Sequence, residues 1–118
     1  MKKIDREKVW LKYDKHCSYC GNEIDFKSMQ VDHMVPKWMG EDYKLWKTIH
    51  GDDNLVPSCR RCNHYKRGDT LEQFRTKMIT LDERIEKNYI NKVAIDFGII
   101  KLKKFDGIFY FEKFGKTE

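Results

Sequence analysis

Three stretches decide how this chain folds: Val31-Asp32-His33, Asp53-Asn54-Leu55-Val56-Pro57, and Cys59-Arg60-Arg61-Cys62-Asn63-His64-Tyr65-Lys66. An earlier pair, Cys17-Ser18-Tyr19-Cys20, belongs with them. Two residues between cysteines let both sulfurs of a turn reach one ion, and two such knuckles supply the four thiolates of a tetrahedral zinc site. Cys17, Cys20, Cys59 and Cys62 are therefore read as ligands of a structural Zn2+. A redox pair fits less well, because both knuckles sit in polar turns without a thioredoxin-like βαβ unit around them. A four-thiolate site has no open coordination position, so its work is to pin the two knuckles together and close everything between them into an anchored loop.

Outward from the knuckles, Met29 to Val35 has the composition of a strand ended by Pro36, and Leu55 to Ser58 that of a second. Cys59 to Arg67 reads as a helix stopped by Gly68. Upstream, Asp5 is placed as the N-cap of a helix over 6–14, with Ile4 and Val9 spaced for a hydrophobic staple. Gly21 and Asn22 suit the left-handed backbone of the first knuckle. Within 37–52, Tyr43, Leu45, Trp46 and Ile49 are spaced for a short helix. Downstream, Thr70 with Gln73 and Thr80 with Glu83 form two capping boxes. The second opens a helix with Ile85, Tyr89, Val93 and Phe97 on one face, stopped by Gly98. Ile99 to Phe114 reads as a β-hairpin turning at Asp106-Gly107. The expected class is α+β: a small zinc-stapled core, an N-terminal helix, and a helical plus β-hairpin extension. Residues 1–118 read as one domain, with its core at about 17–68 and an accessory layer at about 69–118.

Composition bounds the partners. The chain has 118 residues, 24 Lys plus Arg against 19 Asp plus Glu, and a formal charge of +5. This balance suits an acidic partner without excluding a domain that is merely basic. No window approaches the ~20 apolar residues of a membrane span, and Met1-Lys2-Lys3-Ile4-Asp5-Arg6 turns charged at once, unlike a signal peptide. The expected compartment is cytoplasmic, where thiols stay reduced.

Asp32-His33 on the first strand, Asn54-Leu55 opening the second, and Cys59-x-x-Cys62-Asn63-x-x-Lys66 leading into the helix resemble the HNH endonuclease family, with Pro36 and the flanking knuckles in the family's order. The resemblance covers about Cys17 to Gly68 and implies a ββα-metal core. The third signature position, often His in the family, is Asn63 here, which gives the HNN variant. The implied activity is metal-dependent hydrolysis of DNA, read as duplex, by a monomer or a homodimer. A non-catalytic zinc-stabilised nucleic-acid-binding module is the alternative, and an RNase the weaker third.

The chemistry asks for a water nucleophile, a base, and positive charge against the phosphorane-like transition state. His33, with an ordinary pKa of about 6.5, suits the base. Asp32 and Asn63 are oxygen ligands suited to Mg2+ or Mn2+. Neighbours on a strand face opposite ways, so Asp32 and His33 share a site only where the strand ends or bends, as Pro36 allows. The resemblance implies that Asn54 holds the loop carrying His33 by hydrogen bonds to its backbone, and places Asn54 and Asn63 in the catalytic set with His33. One helical step turns a side chain by about 100°, so His64 leaves the face of Asn63, while Lys66 shares it. Arg60, Arg61, Lys66 and Arg67 form a cluster suited to holding phosphates. Trp10 is assigned to the core and Trp38 to the edge of the substrate groove, while His16 and His50 carry no distinct signal. The run Lys101-Leu102-Lys103-Lys104 either extends the DNA surface or guards a sheet edge.

Overall fold

Asp5 begins the regular structure: its side chain accepts the Lys8 N–H at 3.1 Å and caps helix α1, Arg6–Leu11. The structure is a computed structural model and describes residues 3–39 and 51–115. The expected helix around Tyr43, Leu45, Trp46 and Ile49, and His50 beside it, lie outside these residues. The chain divides into two units: one runs up to Leu71 and resumes at Phe109, and the other is Glu72–Ile108.

In the first unit, α1 is shorter than the expected 6–14. Asp14 and Lys15 take φ of 52° and 68°, which a right-handed helix cannot accommodate. Val9 is buried beneath it. Trp10 donates its indole N–H to the Ile24 carbonyl at 2.9 Å and lies 5.3 Å from the Phe26 ring. The first knuckle then turns back, with the Cys17 N–H donating to the Asn22 carbonyl at 2.8 Å. Gly21 holds φ +80°, and a Cβ there would meet Tyr110 Cδ1 at 2.4 Å, so both backbone and space demand glycine.

Strand β1, Gln30–His33, pairs antiparallel with β2, Leu55–Ser58, in the register Val31 to Pro57, Asp32 to Val56 and His33 to Leu55. All four residues of β2 are buried. Pro57 has no N–H for the ladder, but its carbonyl accepts both the Ser18 N–H at 2.9 Å and the Ser18 hydroxyl at 2.7 Å, tying the first knuckle to β2. Cys59 caps helix α2, Arg60–Lys66, through a Cys62 N–H bond to its sulfur at 3.4 Å. Sequence reasoning assigns the stop to Gly68; the structure gives the left-handed turn to Arg67, at φ 50°. Gly68 instead lies against the Trp38 indole, whose Nε1 donates to its carbonyl at 2.7 Å. Trp38 itself remains largely exposed.

The expected hairpin over 99–114 does not form. Asp106-Gly107 does turn, with the Asp106 side chain accepting the Ile108 N–H at 3.0 Å and Gly107 at φ +84°. No strands flank it. Phe109 onward instead docks on the first knuckle: the N–H groups of Tyr110 and Phe111 donate to the carbonyls of Tyr19 and Ser18 at 3.1 and 2.8 Å. These bonds replace the cross-strand ladder. The short helix α6, Tyr110–Lys113, follows, and Glu112 reaches back to accept the Phe109 N–H at 2.9 Å.

The second unit takes in most of α3, Leu71–Ile79, with α4, Leu81–Glu86, and α5, Tyr89–Asp96. The helix expected from Thr80 to Phe97 is broken. The Asn88 side chain accepts the Ile90 N–H at 3.1 Å and starts a new helix, a local bond that competes with continuation. Thr80 does not cap α4; its hydroxyl turns back to the Thr76 carbonyl at 2.9 Å. Gly98 does supply the left-handed stop, at φ +73°. Of the expected apolar face, Tyr89 and Phe97 are 82% and 79% exposed. Among the described residues no helix is long and apolar enough to cross a membrane.

Candidate active site

The two knuckles meet. One sulfur from each of Cys17, Cys20, Cys59 and Cys62 lies within 4.8 Å of the others, and the Cys20 and Cys59 sulfurs are 3.8 Å apart. A zinc tetrahedron with Zn–S bonds of about 2.3 Å has S···S edges of about 3.8 Å, so the spacing suits that ion. Thiol protonation points the same way. Hydrogen bonds from Cys20 and Cys62 hold the Cys17 thiol far below its ordinary range. The bond to Cys17 pushes Cys20 up to about 12, and bonds to Cys17 and Cys20 push Cys62 higher still. Four sulfurs this close cannot all be thiolates without a cation among them.

Asp32 lies at the centre of a second cluster. It is 6% exposed and its Oδ2 accepts the Tyr19 hydroxyl. The same oxygen is 3.3 Å from the Lys66 ammonium, and Lys66 also donates to the His33 carbonyl at 3.3 Å. Burial pushes the Asp32 carboxyl upward, while Tyr19 and Lys66 pull it back. Burial, reinforced by the Asp32 charge, pushes the Tyr19 hydroxyl upward and keeps it a donor. Among the described residues no donor engages Oδ1 of Asp32 or the Asn63 side-chain amide. Carboxylate and amide oxygens such as these are of the chemical kind that a hard cation takes.

Sequence reasoning counts Lys66 among the phosphate-holding cations. The structure corrects this: Lys66 is 0% exposed and its charge is committed to Asp32. An ammonium without solvent access cannot meet a phosphate on the surface. Lys66, three residues after Asn63, turns toward Asp32. Arg60, Arg61 and Arg67 are exposed, as is His64.

Asn54 is buried in the short turn Asp52–Asn54 that leads into β2. Its Oδ1 accepts the Val35 N–H at 2.7 Å, its Nδ2 donates to the Val35 carbonyl at 3.0 Å, and its own carbonyl accepts the Met34 N–H at 2.9 Å. The backbone just past His33 is thus held on both sides. His33 is the last residue of β1 and half-buried, so the strand ends at the candidate base. His16, which carries no distinct signal in the sequence, stacks on Tyr110 at 5.4 Å.

Tyr19 is the residue that sequence reasoning passes over. Its one signal was an aromatic inside an otherwise small and polar Cys-x-x-Cys turn.

Comparison with known proteins agrees with this geometry. A family model described as HNH endonuclease matches residues 17–79. The chain is also 38% identical over 50 residues to the CRISPR-associated endonuclease Cas9 of Corynebacterium diphtheriae. That match covers 42% of this chain and 4% of the relative, so the chain corresponds to a small part of the curated protein it matches. No solved structure matches. The zinc-spaced knuckles, the paired strands and the family match over more than half its length agree, and the chain belongs to the HNH endonuclease family.

Proposed function

We propose that this chain hydrolyses phosphodiester bonds in duplex DNA as a metal-dependent nuclease, with residues 1–118 acting as one domain. His33 takes the proton of the attacking water. The free oxygens of Asp32 and Asn63 would hold one Mg2+ or Mn2+. When bound, such an ion supplies positive charge against the developing phosphorane and the leaving oxygen. Asn54 fixes the segment that carries His33. Arg60, Arg61 and Arg67 hold flanking phosphates without reading sequence. Zinc on the four cysteines keeps β1, β2 and α2 in register and takes no part in the chemistry.

The observation that supports this most is the reciprocal pair of hydrogen bonds between Asn54 and Val35, which immobilises the backbone next to the candidate base. The test is conversion of supercoiled plasmid to nicked or linear product with Mg2+ or Mn2+. His33→Ala is expected to slow the reaction about 10²- to 10⁴-fold. Wild-type protein that binds DNA but cuts under no divalent ion makes this a zinc-stabilised binding module. A His33→Ala variant that cuts at the wild-type rate removes His33 from the role. Competition with RNA fixes the substrate class.

A further inference from the structure

Asp32 is gripped through one oxygen by two donors from different parts of the chain. The Tyr19 hydroxyl comes from inside the first zinc knuckle, and the Lys66 ammonium from the end of α2. Neither donor is free to swing. Tyr19 is buried, with Phe109 edge-on to its ring at 5.3 Å and Phe111 at 6.3 Å, and its carbonyl is held by Tyr110. Lys66 has no solvent exposure and a second anchor on the His33 carbonyl. A carboxylate fixed through Oδ2 cannot rotate, so Oδ1 stays available in a single orientation. A tyrosine suits such a grip because it donates one hydrogen bond without adding a charge that would oppose a cation nearby.

We propose that Tyr19 is a positioning residue for the divalent ion: together with Lys66 it holds Asp32 by Oδ2 and leaves Oδ1 to the ion. This rests on the reading of Asp32 as an ion ligand. It also gives the zinc frame a direct link to the reaction centre, because the knuckle's placement sets the carboxylate's.

The test uses Tyr19→Phe, which removes the hydroxyl and keeps the ring. Mn2+ binding to the zinc-loaded chain is followed by electron paramagnetic resonance, and plasmid cleavage is measured against Mn2+ concentration. Hydrogen-bond partners of metal ligands typically contribute 10- to 100-fold to affinity. The half-saturating Mn2+ concentration is therefore expected to rise by about that factor, with zinc content and circular dichroism unchanged and cleavage recovering at high Mn2+. In an Asp32→Asn background the same substitution is expected to cause no further loss of Mn2+ binding. Wild-type Mn2+ affinity in Tyr19→Phe overturns the proposal. So does loss of zinc, or an equal loss of Mn2+ affinity in the Asp32→Asn background, since either assigns the hydroxyl to the fold. Wild-type chain that neither takes up Mn2+ nor cuts DNA overturns the reading beneath, and is recognised before any variant is made.

Discussion

Replacing Lys66 with methionine keeps most of the buried carbon stem and removes the ammonium. At 3.3 Å from Asp32 Oδ2, unit charges attract by about 5 kcal/mol at an effective dielectric of about 20. That figure is gross, since burying the ammonium had its own cost. What remains after the change is more telling: Asp32 stays buried with only the Tyr19 hydroxyl on Oδ2, and the His33 carbonyl loses its Lys66 donor. Breaking a buried pair from one side typically destabilises by about 3–5 kcal/mol. For a chain of this size that is a fall of roughly 10–20 °C in melting temperature. The assay is thermal unfolding of the zinc-loaded protein without added Mg2+ or Mn2+. The double variant Lys66→Met with Asp32→Asn is expected to recover much of the loss, because the orphaned charge is gone. Lys66→Met within about 0.5 kcal/mol of wild type, or a double variant that loses the sum of the singles, refutes the buried-pair reasoning.

Asn54→Ala removes two hydrogen bonds and strands the Val35 amide and carbonyl; it is expected to lower stability by about 1–3 kcal/mol. Cleavage is expected to fall further than unfolding accounts for, and single-turnover rates on folded protein at full strength would contradict this. Cys59→Ser is expected to unfold the core or abolish zinc retention, read by metal content and circular dichroism; a stable, zinc-free variant would overturn the structural role. Zinc affinity itself is expected to weaken on acidification. A Cys20 thiol pushed up to about 12 in the metal-free protein is protonated at neutrality, so zinc must displace that proton, and lower pH favours the proton. Zinc competition at about pH 8 and about pH 6 checks the sign, and equal affinities would refute it.

The parts of this fold that could be read from sequence are those fixed by local chemistry. Asp5 caps the helix it precedes, and the cysteine spacing brings four sulfurs together. The strands around Asp32 and Leu55 pair as their composition implies, though each is short. The failures share a cause: the deciding partner lies far away in sequence. Lys66 looks like one more cation beside Arg60, Arg61 and Arg67, and nothing local reveals that Asp32 will claim it. Tyr19 is silent for the same reason. Asp106-Gly107 is a sound turn signal, but a turn makes a hairpin only if its flanks pair with each other. Here Tyr110 and Phe111 give their N–H groups to Tyr19 and Ser18. The break at Asn88 is a local competition, in which a side-chain cap ends a helix that the four-residue periodicity alone would continue.

The docking of Tyr110 and Phe111 on the first knuckle bears on the order of assembly. Zinc can gather its ligands once Cys62 is available, but the carbonyls of Ser18 and Tyr19 wait for partners roughly ninety residues downstream. Contacts of such separation form late and slow folding, because loop closure must precede any gain from them. The Glu72–Ile108 unit is the loop that has to be closed. Until the segment after it has been made, the knuckle lacks the cover that Phe109 and Phe111 give the Tyr19 ring. The grip on Asp32 draws only on Tyr19 and Lys66, so all its members precede the segment that covers the knuckle.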